Sequence, residues 1–364
     1  MRRRSFKYIF LFNVVFISAI VISVFLIYRK DFSGNAVRAN ITTPLLHSDT
    51  LEVSFCQNAA AAVLVDAKSG AVLYEKNADV RLPMASTTKI MTALVVIENS
   101  SPDDVIEISK TAAGVEGSSI YLTVGEKITV RDLLYGLMLE SGNDAATALA
   151  EGVFGSVKAC SKAMNEKAHE IGLVSTNFTN PHGLDDRDHY TTAYELSLIT
   201  KEALKNDLFR EIVSTKSYVT QGEKNRYFSN HNRLLRSYAD TIGVKTGYTS
   251  KSGRCLVTAT SRDGEEYIAV TLNDSHDWND HREMHSFAFE NFCGYEIARS
   301  EGFDIYAGFS KYTSPEDVYI TTMGEGDFTL NYKVTIEKDI GRVEYSTDSV
   351  SLGNFAIQIC REEL

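Results

Sequence analysis

The chain has 364 residues, 44% of them hydrophobic, which is enough for one large domain and a smaller one. Its formal net charge of −11 and the lack of a basic stripe argue against a nucleic-acid partner. The five cysteines have no C-x-x-C spacing, so a zinc or thiol-redox site is not expected. The sequence leaves two possibilities for these cysteines, namely buried free thiols or one or two disulfides.

The first residues of the chain have the pattern of a membrane anchor. Arg2, Arg3, Arg4 and Lys7 precede an apolar run over residues 8–28. At about 1.5 Å of rise per residue, a helix of this length spans a bilayer core. Because the positive flank comes first, the N-terminus is expected in the cytoplasm and the chain after the run outside it.

A cleaved signal peptide is the alternative to an anchor, but its apolar region would be shorter, about 7–15 residues. The nearest small-x-small cleavage site, Val37–Ala39, lies too far beyond the run. We therefore predict an uncleaved signal anchor at 1–30 and a tether at 31–57. The chain would then cross the cell membrane once, with its globular part outside the cytoplasm.

The first elements after the tether are a hairpin and a helix. A β-hairpin is predicted at residues 59–74, with its turn at Asp66–Gly70. From Ser86 to Ile97 the pattern is helical and apolar on nearly every side, which indicates a buried helix. Ser86 falls near the start of this helix, and Lys89 follows one turn later.

Two further helices meet at a short polar connection. Thr129–Asp132 has the form of a capping box, and the helix that it starts should end near Glu140. Ser141–Asn143 forms the connection, where Gly142 is expected to allow a tight turn, and Asp144–Gly152 is the next helix. Amphipathic helices are also predicted at 158–171 and 192–206.

The later part of the chain supplies strands. Three β-strands are predicted at 241–247, 255–261 and 267–272. The front hairpin should join them in one antiparallel sheet, and helices packed on it give an α/β (α+β) domain at 58–298. A helix at 287–299 should close this domain, and 299–364 is predicted to be a small all-β domain. Its strand-like segments lie at 318–321, 328–330, 333–336 and 355–359.

Three short motifs occur together in the order Ser86–Lys89 (Ser-Thr-Thr-Lys), Ser141–Asn143 (Ser-Gly-Asn) and Lys245–Gly247 (Lys-Thr-Gly). Each motif alone is common in unrelated proteins. The combination is the pattern of serine enzymes that are acylated by penicillin or by the D-alanyl-D-alanine end of peptidoglycan.

The residue types of these motifs fit acyl transfer by a serine. Residues three apart on a helix share a face, so Lys89 can reach the hydroxyl of Ser86. To act as the base, Lys89 must be neutral, and burial together with a second cation, Lys245, would lower its pKa. Ser141 can relay a proton to the departing nitrogen, and the amide of Asn143 can hold the substrate's backbone.

The third motif is expected on a strand because it follows the apolar residues Ile242 and Val244. The open edge of a strand binds an extended peptide through backbone hydrogen bonds. Gly247 would leave room for such a peptide to approach.

Longer segments around the motifs resemble the serine D-Ala-D-Ala carboxypeptidases, the low-molecular-mass penicillin-binding proteins of peptidase family S11. Ala85–Thr92 is similar to the family's nucleophile segment, and Asn180–Asp185 to its His-Gly-Leu segment. Tyr248 departs from the family, which often has histidine after Lys-Thr-Gly. The resemblance covers residues 59–292 and implies the serine β-lactamase/DD-peptidase fold, with an antiparallel five-stranded sheet flanked by helices.

By position, the resemblance implies roles for individual residues. The implied catalytic residues are Ser86 as nucleophile, Lys89 as its base, Ser141, Asn143 and Lys245. The implied substrate-binding residues are Thr246, Gly247, Tyr248 and Arg282. The backbone N–H groups of Ser86 and Tyr248 would form the oxyanion hole, and Arg282 would bind the substrate's terminal carboxylate through a bidentate fork. His182 is expected to be structural, and no metal or organic cofactor is implied.

The implied reaction begins when Ser86 attacks the carbonyl between two D-alanines and releases the terminal one. Water then hydrolyses the acyl-enzyme. The implied partners are therefore the peptidoglycan stem peptide and β-lactams, which mimic it.

Three other functions stay open for the same motifs. A class A β-lactamase usually has aspartate where Gly142 stands and needs a glutamate within E-x-x-L-N, which is missing between Asn143 and Lys245. A non-hydrolysing penicillin-binding sensor would keep a stable acyl-enzyme and release no D-alanine. A transpeptidase would pass the acyl group to an amine instead of water.

Overall fold

The structure is a computed structural model that describes residues 53–221 and 224–298 and, further on, six strands within 304–361. The signal anchor predicted at 1–30 and most of the predicted tether lie outside these residues. In the part of the chain that is described, no helix is long and apolar enough to cross a membrane.

Strands and helices alternate irregularly along residues 53–298. The strands are β1 (Ala61–Asp66), β2 (Val72–Lys76), β3 (Val105–Glu107), β4 (Lys127–Thr129), β5 (Ser217–Val219), β6 (Tyr227–Ser229), β7 (Thr241–Thr249), β8 (Gly253–Arg262), β9 (Glu265–Leu272) and β10 (Phe292–Ala298). The helices are α1 (Lys89–Asn99), α2 (Lys110–Ala113), α3 (Val130–Leu139), α4 (Asn143–Phe154), α5 (Val157–Glu170), α6 (Ala193–Leu204), α7 (Asp207–Ser214), α8 (Leu234–Ser237) and α9 (Asp277–Asn291).

The central element is an antiparallel sheet with the strand order β2-β1-β9-β8-β7. The front hairpin therefore joins the three later strands, which confirms the predicted five-stranded sheet and the α+β fold class. Strand β7 forms one edge of this sheet, so one side of its backbone has no strand partner in it. Such an edge can accept an extended peptide.

Successive side chains of a strand point to opposite faces of the sheet. The sheet therefore has two hydrophobic cores, one on each face. Ala61, Val63 and Val65 of β1 pack into the larger core with helices α1 and α3–α7. Ala62 and Leu64, which point the other way, pack into a smaller core with α9. Helix α1 crosses the larger core with eight of its eleven residues buried, as its apolar sequence predicts.

Capping residues fix where several helices start. The hydroxyl of Thr129 accepts a hydrogen bond from the Asp132 backbone N–H, so the predicted cap of α3 is confirmed. Thr192 caps α6 in the same way. Helix α7 was not predicted, although Phe209, Ile212 and Val213 recur at helical spacing and Asn206 caps its start.

The helix predicted at 287–299 is wrong in position. Helix α9 begins ten residues earlier, at Asp277, and ends at Asn291. Its buried face includes His281 and His285, which exchange hydrogen bonds with threonines of β8 and β9, so no apolar period marks it. Residues 292–298 form β10 instead, because they pair with a strand far along the chain.

The C-terminal strands confirm the predicted all-β character of this region. They are β11 (Asp304–Ala307), β12 (Ser310–Thr313), β13 (Val318–Met323), β14 (Leu330–Glu337), β15 (Ile340–Thr347) and β16 (Asn354–Arg361). Five of them form a second sheet in the order β11-β12-β16-β15-β14, while β13 pairs with β10. This last pairing crosses the predicted boundary at 298/299, and the boundary itself stays a prediction.

Three of the cysteines that the structure describes are buried free thiols. Cys56, Cys160 and Cys255 are buried, and Cys293 is partly exposed. Burial raises the pKa of the Cys255 thiol to about 11. Of the two possibilities left by the sequence, buried thiols therefore apply to three of these four residues.

Candidate active site

The predicted nucleophile lies just before helix α1, in the 3-10 turn Ala85–Thr88. The His-Gly-Leu segment packs directly against this turn. Gly183 has a φ of +86°, and a Cβ at this position would overlap the carbonyl group of Ala85. The segment's glycine is thus required both by its own backbone and by close packing against the residue that precedes Ser86.

Lys89 reaches the nucleophile from the first turn of α1. Its Nζ lies 2.9 Å from Ser86 Oγ, 2.7 Å from Asn143 Oδ1 and 2.7 Å from the carbonyl oxygen of His182. The two 2.7 Å partners can only accept, whereas the serine hydroxyl can also donate. These partners therefore suit a neutral amine, whose two N–H groups and one lone pair match them.

Electrostatics favour that neutral form. Lys89 is fully buried, and this burial is the main reason that its pKa is lowered well below the usual lysine range. The positive charge of Lys245 lowers the Lys89 pKa further, while the carboxylate of Asp144 opposes both effects.

Lys245 lies on β7 with its side chain buried at the same face of the sheet as Val257 of β8. Its Nζ donates to the backbone oxygen of Thr246 at 2.9 Å. Burial lowers the pKa of Lys245 to about 7, and the negative charge of Glu140 works in the opposite direction. The site thus holds two buried lysines whose pKa values lie below the range of exposed lysines, so both lose their protons at lower pH.

The Ser-Gly-Asn motif connects α3 to α4, but its glycine does not have the role that the sequence suggested. The residue with the left-handed backbone is Ser141, with a φ of +63°, whereas Gly142 has an ordinary φ of −59°. Gly142 is needed for space, because a Cβ there would lie 2.8 Å from Asp144 Oδ1. The hydroxyl of Ser141 has no hydrogen-bond partner among the described residues and is free to contact a substrate.

Asn143 is held in place on three sides. Its Oδ1 accepts from Lys89, its Nδ2 donates to the carbonyl oxygen of Glu116 at 2.7 Å, and its backbone N–H donates to that of Ser118 at 2.7 Å. An amide NH₂ group has two N–H donors, so one remains. This donor can bind a carbonyl of a peptide lying in the cleft.

The edge strand β7 runs directly beside the nucleophile turn. A Cβ on Gly247 would lie 3.0 Å from the backbone nitrogen of Ser86, so a larger residue would crowd the turn. Tyr248 follows with its side chain exposed. The predicted oxyanion donors, the N–H groups of Ser86 and Tyr248, therefore lie on two segments that the structure brings together.

Arg282 lies on the surface of α9 and makes no hydrogen bond or ion pair with another described residue. Residues one turn away on either side share its face of the helix. Of these, Trp278 stacks with Arg233 at 5.7 Å, and Ser286 lies 3.4 Å from the hydroxyl of Tyr238. Both partners flank α8, just before β7, so Arg282 faces the β7 side of α9; its contact with a substrate stays a prediction.

Three acidic or basic residues of the site were missed from sequence. Asp144 follows Asn143 directly and is buried, and its charge acts on Lys89. Glu140 precedes Ser141, and its Oε2 lies 3.3 Å from Nε2 of His231. Burial and then the charge of Lys245 lower the pKa of this histidine, against the effect of Glu140. Position next to a motif was the available signal for the two acidic residues.

The cleft combines a nucleophile, a base whose neutral form is favoured by burial, a second lysine and an open strand edge. This set can form and hydrolyse an acyl-serine. In the parts of the chain that the structure covers, no group of three or more acidic, histidine or cysteine side chains is arranged to hold a metal ion.

Comparison with known proteins places this cleft among peptidases. The family model for D-alanyl-D-alanine carboxypeptidases, Peptidase S11, matches residues 50–276. The carboxypeptidase DacF of Bacillus subtilis is 39% identical over 224 residues, which are 60% of this chain and 58% of DacF. The chain thus spans somewhat more than half the length of that relative.

Solved structures show the same architecture. Penicillin-binding protein 5 of Haemophilus influenzae is 27% identical, with a TM-score of 0.74 over 86% of this chain and 99% of that one. The DD-transpeptidase of Streptomyces K15 is 36% identical, with a TM-score of 0.62 over 65% of this chain and all of that one.

Proposed function

Because the chain belongs to the S11 family of D-alanyl-D-alanine carboxypeptidases, we propose that it removes the terminal D-alanine from peptidoglycan stem pentapeptides through an acyl-enzyme on Ser86. The observation that carries this proposal is the 2.9 Å contact between Ser86 Oγ and the buried Nζ of Lys89. A serine and its base in hydrogen-bond reach are the basic requirement for acyl transfer.

In the first step, neutral Lys89 takes the proton of the Ser86 hydroxyl while Oγ attacks the carbonyl between the two D-alanines. The negative charge that develops on the carbonyl oxygen is stabilised by the N–H groups of Ser86 and Tyr248. Protonation of Lys89 beside Lys245 is unfavourable, so the proton is readily passed on.

Release of D-alanine needs a proton on the departing nitrogen. Ser141 is suited to carry it, because its hydroxyl has no partner among the described residues and its motif includes Asn143, which contacts Lys89. The free carboxylate of the substrate would lie toward Arg282, with Thr246 and Gly247 lining the strand edge. Water then hydrolyses the acyl-enzyme, and a β-lactam would acylate the same serine.

A transpeptidase is the second candidate, favoured by the similarity to the Streptomyces K15 DD-transpeptidase. It shares every step up to the acyl-enzyme and differs only in the acceptor, which is an amine. The reaction product therefore distinguishes the two functions, whereas the geometry of the site does not.

The deciding experiment measures D-alanine release from a synthetic pentapeptide ending in D-Ala-D-Ala, using the full chain in detergent beside Ser86→Ala. We expect release by the intact protein and a loss of at least about 1,000-fold in the variant, since the covalent route is removed. The assay is repeated with added glycine or another amine as acceptor. A product in which this amine replaces the terminal D-alanine, instead of the hydrolysed tetrapeptide, would indicate transpeptidation. Equal release by both proteins would contradict the proposal.

A further inference from the structure

A buried histidine outside the three motifs contacts the turn that carries the nucleophile. His189 lies in the segment before helix α6, and only 3% of its surface is exposed. Its Nε2 lies 2.8 Å from the hydroxyl oxygen of Thr88, and its Nδ1 lies 3.1 Å from the backbone nitrogen of Thr179. The ring therefore bridges the nucleophile turn Ala85–Thr88 and a segment far along the chain.

The hydrogen-bond partners assign the direction of each proton between His189 and the turn. A backbone N–H can only donate, so Nδ1 of His189 accepts from Thr179 and carries no proton. A neutral imidazole then has its proton on Nε2, which donates to the Thr88 hydroxyl. That hydroxyl in turn donates its own proton to the carbonyl oxygen of Ala85 at 2.7 Å.

The surroundings of His189 favour the neutral ring that these contacts require. Burial lowers the pKa of His189 to about 4. The carboxylates of Asp186 and Asp185 act in the opposite direction, and a positive charge on Lys89 adds to the effect of burial. At pH 7 the imidazole therefore has one donor and one acceptor, which match Thr88 and the Thr179 N–H.

The last acceptor of this hydrogen-bonded chain belongs to a strained residue. Ala85 has a φ of +48°, in the left-handed region that residues other than glycine rarely adopt. Such a conformation persists only where the surrounding structure holds it. A Cβ on Gly183 would lie 2.9 Å from the Thr88 hydroxyl oxygen and would overlap the Ala85 carbonyl, so the His-Gly-Leu segment packs against both groups.

The Ala85 carbonyl matters for the chemistry because it shares a peptide unit with the Ser86 N–H. This peptide is planar and trans, so its N–H points opposite to its carbonyl oxygen. A hydrogen bond that fixes the oxygen of Ala85 therefore also fixes the direction of the Ser86 N–H. In the proposed function, this N–H is one of the two donors to the developing oxyanion.

We propose that His189 is a positioning residue for the oxyanion hole: acting through Thr88, it orients the peptide between Ala85 and Ser86 so that the Ser86 N–H points at the developing negative charge. The inference rests on the proposed function, because it takes Ser86 to be the acylated residue. The role of His189 is to hold the turn, and it needs no contact with the substrate.

Acylation of the full chain by a fluorescent penicillin, in detergent, tests this inference. The second-order rate of acylation is measured for the parent protein, Thr88→Val and Thr88→Ser. Because loss of one oxyanion donor costs about 100- to 1,000-fold, we expect a misdirected donor in Thr88→Val to slow acylation about 10- to 100-fold. Thr88→Ser keeps the hydroxyl and should retain most of the rate.

A double-mutant cycle distinguishes a shared chain of hydrogen bonds from two separate structural roles. His189→Phe should be slowed like Thr88→Val, and His189→Gln, whose amide can donate to Thr88, should recover part of the rate. The protein with both Thr88→Val and His189→Phe should be no slower than the slower single variant, because both changes break the same chain. Losses that multiply in the double variant would contradict the proposal.

Thr87→Val is the matched control within the same turn. The buried Thr87 hydroxyl donates to the carbonyl oxygen of Met84 at 2.6 Å, as that of Thr88 does to Ala85. The Met84 carbonyl belongs to the preceding peptide, which does not contain the Ser86 N–H. Acylation should therefore fall much less in Thr87→Val than in Thr88→Val, and equal losses would contradict the proposal.

Substrate affinity separates positioning of the oxyanion donor from a general structural role. In the full chain carrying Ser86→Ala, adding Thr88→Val should change the affinity for a pentapeptide ending in D-Ala-D-Ala by less than about threefold, because the donor acts mainly in the transition state. A fall in affinity as large as the fall in acylation rate, or a parental acylation rate in Thr88→Val, would overturn the inference alone. A parent protein that is acylated but releases no D-alanine would contradict only the carboxypeptidase activity, and one that forms no acyl-enzyme would overturn both.

Discussion

Lys245 is a basic side chain kept out of water, and this costs folding free energy that an apolar side chain would not. Its location beside Lys89 suits the chemistry, because burial and then the charge of this second cation lower the pKa of the base. Activity and stability therefore make opposite demands at this residue, a conflict that is common in active sites.

We predict that Lys245→Met stabilises the full chain near pH 7 and that the gain shrinks as the pH rises toward 10. In the unfolded chain the lysine keeps its proton up to about 10.5, whereas in the folded protein its pKa is about 7. Between these values folding releases a proton, so raising the pH stabilises the parent protein by up to about 1.4 kcal/mol per pH unit. Methionine does not titrate, so the stability of the variant gains nothing at this position as the pH rises.

The measurement is the free energy of unfolding by urea at several pH values between 7 and 10. Lys251→Met is the matched control, because Lys251 is exposed in the turn after β7. A stability difference between Lys245→Met and the parent that does not depend on pH would show that this lysine keeps an ordinary pKa.

At the scale of elements, the start of helix α4 organises the whole cleft. Asn143 is its first residue, and the carboxylate of Asp144, the second, accepts hydrogen bonds from the backbone of the loop at 120–122. Ser119 adds a 2.6 Å hydrogen bond to the same group. One helix terminus therefore fixes the base, the substrate-binding amide and this loop together.

Asp144→Asn should loosen this loop while leaving the helix intact. An amide has only one acceptor oxygen, so some backbone N–H groups of the loop lose their hydrogen-bond acceptor. Leaving a buried N–H group unpaired costs about 1–3 kcal/mol. We expect the free energy of unfolding to fall by that amount and the amides of Ile120 and Leu122 to exchange faster with deuterium.

Asp103→Asn is the control for a charge change at an exposed aspartate. If the exchange rates at Ile120 and Leu122 stay at the parent values in Asp144→Asn, the carboxylate does not hold the loop.

At the scale of the whole molecule, the catalytic sheet is joined to the C-terminal strands at two places. Strand β10 continues directly from α9 and pairs with β13. The hydroxyl of Thr321 on β13 donates to Asp66 Oδ2 at 3.0 Å and lies 2.6 Å from Ser69 Oγ in the β1–β2 turn. These contacts lie on the β1–β2 side of the sheet, opposite the β7 edge.

We propose that residues 1–30 anchor the protein in the cell membrane with the cleft outside the cytoplasm. The apolar run and its basic flank support this. Deleting residues 1–30 should move the protein from the membrane fraction to the soluble fraction of lysed cells, as followed by labelling with a fluorescent penicillin. A deleted protein that still sediments with membranes would contradict the anchor.

Much of this architecture follows from local pattern. The hairpin, the three later strands and the capped helix α3 carry periodic or capping signals, and the structure has them within a few residues. Serine three residues before lysine places both side chains on one helical face, so the contact between Ser86 and Lys89 was predictable from spacing alone.

What the pattern could not supply depends on residues far apart in the chain. Helix α9 was misplaced because its buried face is polar and is satisfied by threonines of β8 and β9. The strained conformations of Ser141 and Tyr121 arise from tertiary hydrogen bonds and packing, which leave no trace in local sequence. The lowered pKa of Lys89 likewise needs burial and the approach of Lys245, since desolvation exists only once the fold has closed around the side chain.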